Sequence, residues 1–160
     1  MNKVTMIYIN LLLYLIILNV SVVSATLIFH EAGHFFVGEY IGCKNIKIVL
    51  FDSSIFNTYT EMNCPLNIQL SLLELGGFIL VIPFSLSFLL FLDGFPEKKF
   101  FWVILGFNLL ISLTDLTYFS KAFIFTLLLT IIGIALIIFG ENLLIDKFII
   151  FYKNKIWVYK

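Results

Sequence analysis

What most constrains this chain is one apolar run, from Met6 to Ile41, with no glycine or proline anywhere between Met1 and Ala32. As a single helix rising 1.5 Å per residue it would be about 54 Å long, against a bilayer hydrocarbon core of about 30 Å. Such a helix must tilt and protrude, or break. With no glycine or proline before Gly33, one continuous or slightly bent helix is expected, ending at Gly42, a suitable residue for a left-handed C-terminal cap. Lys3, the apolar stretch and Ser24-Ala25 imitate a cleavable leader. The apolar run, however, continues through the supposed cleavage point, and a cut there would leave His30 on a stub.

The remaining sequence carries the same bias. Of 160 residues, 61% are hydrophobic and 12% charged, where soluble chains carry about 25% charged residues, and the mean hydropathy is +1.08. A water-soluble domain is excluded, and residues 1–160 read as one membrane-embedded unit. All ten basic residues are lysines, balanced by ten acidic ones, so an arginine-rich surface for nucleic acid is excluded too. Apolar stretches at 66–92, kinked at Pro83, at 100–119 and at 122–139 join 6–41 to give an expected all-α polytopic membrane protein of about four transmembrane helices. Turns at Asp93-Gly94-Phe95-Pro96 and around Ser120-Lys121 separate the later spans. The tail, 141–160, mixes apolar and charged residues and is expected to lie at the interface.

Between the first two spans the period changes. Ile46, Ile48 and Leu50 alternate with Lys47 and Val49, and Thr58 to Thr60 is again β-prone across a turn region containing Asp52-Ser53-Ser54 and Asn57. A small β-hairpin or sheet is expected here. Cys43 and Cys64 are too few for a disulfide framework or a closed four-ligand zinc site, and Cys43 reads as a buried free thiol.

The chain has two histidines, both in His30-Glu31-Ala32-Gly33-His34. On a helix, residues four apart share a face, so both imidazoles can reach one Zn²⁺ while Glu31 addresses a water molecule beside it. Ionisable groups within a span cost roughly 2.5–3.5 kcal/mol each, which weighs against a chance pattern packed in a helical bundle. A carboxylate of either length can also bind zinc. Asp115 and Glu74 lie at suitable depths, and Asp93 would replace them if the first segment were a hairpin of two short helices. Zn²⁺, two neutral imidazoles and the carboxylates of Glu31 and Asp115 would sum to zero charge, which eases burial.

Ile28-Phe29-His30-Glu31-Ala32-Gly33-His34-Phe35, after an apolar helix and before Tyr40-Ile41-Gly42, resembles the first motif of the site-2 protease family of intramembrane zinc metalloproteases. In that family a short sheet follows the HExxH helix, as Lys44 to Thr60 would here, and the next helix opens with a small-residue motif similar to Leu75-Gly76-Gly77. The resemblance implies Zn²⁺ as cofactor, with His30, His34 and Asp115 as ligands and Glu31 as catalytic base. The Asp115 assignment comes from the stretch Asn108 to Leu116, where the family's prolines and the glycine after its aspartate are absent. Asn108 is implied to bind substrate or orient Asp115. Peptide bonds in transmembrane segments of membrane-protein substrates would be cleaved, with the active site toward the cytosolic side.

The lysines point the other way. Lys3, Lys98 and Lys99 lie on one side and Lys44, Lys47 and Lys121 on the other. Lys147, Lys153, Lys155 and Lys160 break the tie and place the HExxH end outside. Two other classes compete with a protease. A divalent-metal transporter usually needs several metal stations, and no histidine lies outside the motif. An inactive membrane scaffold would keep the motif without turnover.

Overall fold

The computed structural model describes residues 3–52, 57–65, 70–90, 97–116 and 123–158. Helix α1, Lys3–Tyr40, runs unbroken for 38 residues, about 57 Å. Its end is a Schellman motif. Gly42 adopts φ 84°, its N–H donates to the Glu39 carbonyl at 3.1 Å, and the Cys43 N–H donates to the Gly38 carbonyl at 2.9 Å. The motif satisfies carbonyls that the helix end would otherwise orphan.

Two antiparallel strands follow, β1 at Lys44–Asp52 and β2 at Asn57–Asn63. The second strand is longer than the sequence pattern suggests. Lys47 faces Glu61, Ile48 faces Thr60 and Val49 faces Tyr59, and Asn45, at φ 54°, takes up an irregularity between Lys44 and Lys47. Residues 53–56, which hold the expected turn, lie outside the described residues.

Because Lys44 pairs with Asn63, the residues just beyond each strand come together, and Cys43 is bonded to Cys64. Cys43 is therefore not a free thiol. The bridge closes a loop of 21 residues, a constraint of about 3 kcal/mol on the unfolded chain.

Helix α2, Leu70–Leu90, passes through Pro83. Helix α3, Glu97–Ile111, is separated by Ser112 alone from the single turn α4, Leu113–Leu116. Helix α5 is Phe123–Val158. Among the described residues, two helices, α1 and α5, are long and apolar enough to cross a membrane. Among the described residues the expectation of four full spans is met in part, by these two. The apolar part of α2, Leu72–Phe88, belongs to a helix of 21 residues, and that of α3, Lys99–Ile111, is shorter because α3 opens on Glu97-Lys98-Lys99 and ends at the Ser112 turn. The stretch 122–139 and the tail are not separate elements either: α5 continues through Gly140, which packs on Val103 and Trp102, and beyond it Leu144 is buried. The connections holding Asp93 and Ser120-Lys121 lie outside the described residues.

Small residues set the helix spacing. A Cβ at Gly33 would overlap the Gly76 carbonyl, and one at Gly77 would overlap the His30 ring, so α1 and α2 cross nearly backbone to backbone beside the HExxH face. Gly106 and Gly133 do the same for α3 and α5. Val22, Val81, Val103, Ile104 and Leu144 form the apolar core. Thr26, His30, Glu31, Ser85, Asn108 and Ser112 are also buried, while Leu12, Ile16, Ile17, Leu128 and Ile131 are exposed. Polar groups inside and large apolar groups outside suit a lipid environment.

Candidate metal centre

Two elements converge on one point. His30 and His34 share a face of α1, and α4 brings Asp115 opposite them. His30 Nε2 lies 2.9 Å from Asp115 Oδ2, His34 Nε2 lies 3.2 Å from the same oxygen, and the two Nε2 atoms are 3.2 Å apart.

The surroundings decide what these atoms are. His34 Nδ1 lies 2.9 Å from the Leu73 carbonyl, which can only accept, so Nδ1 carries the proton. Ser112 donates its hydroxyl to Asn108 Oδ1 at 3.2 Å, and its oxygen, 3.3 Å from His30 Nδ1, is then an acceptor for that ring. As neutral rings, both imidazoles present an Nε2 lone pair toward a carboxylate oxygen and toward each other. Three acceptors within about 3 Å repel one another unless a cation, either a metal ion or a proton on one ring, lies among them. Three ligands at about 2.0–2.1 Å from a tetrahedral zinc stand about 3.3 Å apart, close to the triangle observed. The site fits a divalent ion, with each histidine oriented through its other nitrogen as metal-bound imidazoles commonly are. Among the described residues, His30, His34 and Asp115 are the cluster that could hold a metal ion.

Glu31 is 6% exposed and lines the same cavity of about 320 Å³, with Leu27, Thr58, Tyr59, Thr60, Met62, Leu73, Glu74 and Ile111. The Thr60 hydroxyl lies 2.7 Å from Glu31 Oε2 and 3.1 Å from the Glu31 carbonyl. Strand β2 reaches α1 here because Thr58, Thr60 and Met62 share one strand face and Gly38 leaves room for Met62.

Of the residues singled out in the sequence, His30, Glu31, His34 and Asp115 come together around one cavity. Glu74 lines that cavity but stands outside the three-atom cluster, and Asp93 lies outside the described residues. Asn108 is 0% exposed. It donates to the Phe78 carbonyl at 3.4 Å and accepts from Ser112, which places it behind His30 and not among the residues lining the cavity. Sequence reasoning misses Thr60 and Ser112. Ser112 is within its reach, since Asn108, Ser112 and Asp115 recur at helical spacing on one face; Thr60 carries no such signal.

No family model, curated protein or solved structure matches this chain. What fold and site define together is a helical domain with a β-hairpin after its HExxH helix and a zinc-site-like His-His-Asp cluster, consistent with a zincin-type metalloprotease.

Proposed function

We propose that this chain is an intramembrane zinc metalloendopeptidase that hydrolyses peptide bonds in transmembrane segments of membrane proteins. The observation that carries the reading is the convergence of two imidazole nitrogens and a carboxylate oxygen on a cavity that Glu31 also lines. A Zn²⁺ ion held by His30, His34 and Asp115 would supply Lewis acidity to polarise the scissile carbonyl and acidify a water molecule. Glu31 then takes the proton of the attacking water and passes it to the leaving amine. Thr60 occupies one carboxylate oxygen, Oε2, and leaves Oε1 to do this.

A helical substrate segment hides its peptide bonds in internal hydrogen bonds and has to unwind to reach the cavity. The β1–β2 hairpin, which forms one wall, offers strand edges to which an extended segment could add. Buried Asn108 acts here as a support for His30 through Ser112. The transporter reading gains nothing from the geometry, because the described residues hold a single metal-capable cluster. An inactive scaffold would bind zinc without turnover. Purified protein should contain one zinc per chain and cleave a reconstituted transmembrane peptide, and Glu31→Gln should keep the zinc and lose the cleavage. Zinc-loaded wild-type protein without hydrolysis would instead favour the scaffold.

A further inference from the structure

Two features that do not depend on the chemistry bear on which way the site faces. The first is the Cys43–Cys64 bond. It joins the residue after the α1 cap to the residue after β2, at the end of the molecule that carries the cavity. Cytosolic thiols are kept reduced, whereas bonds of this kind persist in oxidising compartments.

The second is charge. Because α5 is one helix through Val158, its distal half runs away from the site instead of folding back. Three contacts fix its course: Asn19 Nδ2 donates to Glu141 Oε1 at 2.6 Å, Lys99 Nζ donates to the Leu143 carbonyl at 2.9 Å, and Tyr14 stacks on Phe148. The distal half of α5 therefore lies beside the start of α1 and the start of α3. Lys3, Lys98, Lys99, Lys147, Lys153 and Lys155 belong to that end, against Lys44 and Lys47 at the site end. Counting Lys121, between α4 and α5 in sequence, to the site end still leaves a two-to-one excess. Lysine-rich ends stay in the cytosol.

We propose that the cavity end of this protein faces an oxidising, extracytoplasmic compartment, and that its substrates are membrane segments cleaved near their extracytoplasmic end. The substrate half of this statement rests on the protease reading; the orientation does not. It reverses the cytosolic placement that the family resemblance implies.

Full-length protein in right-side-out and inside-out membrane vesicles tests it, with a membrane-impermeant phosphine reductant followed by an impermeant PEG-maleimide. In right-side-out vesicles the native protein should gain two adducts after reduction and none without it, and in inside-out vesicles none in either case. Asp146→Cys, at an exposed position on the distal half of α5, should gain one adduct without reduction in inside-out vesicles only. Native cysteines that react in inside-out vesicles overturn the orientation, and native cysteines that react without reductant overturn the oxidised state on which its first argument rests. For the substrate half, one reporter segment carries a helix-breaking pair in either its extracytoplasmic or its cytosolic half. The former should be cleaved at least about tenfold faster, and equal rates defeat the substrate claim while the labelling result stands. If zinc-loaded wild type cleaves neither, the protease reading fails and the labelling alone judges the orientation.

Discussion

Helices α1, α2 and α3 line two cavities of similar size and opposite character. The one at the hairpin end measures about 320 Å³ and is lined by His30, Glu31, His34, Asp115, Thr60 and Glu74 among others. The other, about 250 Å³, lies between Leu18, Ser21, Val22, Ala25, Phe84, Phe88, Phe100 and Ile104. At the first, side chains are held from outside their own helix: His34 by Leu73, His30 by Ser112, Glu31 by Thr60. At the second, the lining rings meet one another edge to face, Phe84 with Phe88 at 5.4 Å and Phe88 with Phe100 at 6.2 Å. In lipid, apolar contact gains little beyond dispersion, because the tails are as apolar as the side chains. Directional bonds, the disulfide and glycine-tight crossings are therefore what can hold atoms in place for chemistry, and at the site end all three act around the one cavity.

The largest effect should follow from deleting a ligand. His34→Ala is expected to lose zinc, measured by metal analysis of the purified protein, and with it all cleavage. A variant cleaving at the wild-type rate would rule out this site. Next in size, Glu31→Gln should retain zinc while kcat falls by about 10²–10⁴-fold, the usual contribution of a positioned general base. Zinc loss there would make Glu31 a structural ligand instead.

The strongly patterned parts of the site are legible in the amino-acid sequence. His30, Glu31 and His34 lie within five residues, so helical geometry alone puts both imidazoles on one face, and Gly42 marks the helix end because glycine tolerates the positive φ of the cap. Asp115 is 81 residues from His34; no periodicity links them, and its assignment comes from the family resemblance. The Cys43–Cys64 bond is hidden because pairing depends on strand register, which two cysteines and an alternating pattern do not reveal. The misplaced bounds of the last two expected spans have a similar origin. Apolar composition does not distinguish a membrane-long helix from a shorter one capped by charges and turns, as α3 is, nor show that α5 runs on past Gly140.

Changes to the residues that hold the ligands should cost less. Ser112→Ala removes the acceptor for His30 Nδ1 and should weaken zinc binding by about 10–100-fold, read by competition with a chelator. An unchanged affinity would mean that the ring is held by packing against Gly77 alone. Thr60→Val keeps the shape but not the hydroxyl that bonds Glu31. It should lower kcat by about tenfold, the worth of one hydrogen bond to a charged group, with KM and zinc content unchanged. Thr60→Ser should restore most of the rate, and a serine variant as slow as the valine one would shift the explanation to the lost methyl group.

Phe88→Ala, at the other cavity, should have the smallest effect on chemistry. Phe88 meets Phe84 and Phe100, and Phe84 in turn stacks on Phe29 at 4.0 Å, one residue before His30. A mechanical path to the site therefore exists, and the comparison of the two ends says that it carries little. The thermal midpoint in detergent should fall, because the truncated ring forfeits its dispersion contacts, while zinc affinity and kcat stay at wild-type values. A loss of zinc affinity as large as that of Ser112→Ala would show that apolar packing at the far end holds His30 as firmly as its own hydrogen bond does, and the division between the two ends would have to be abandoned.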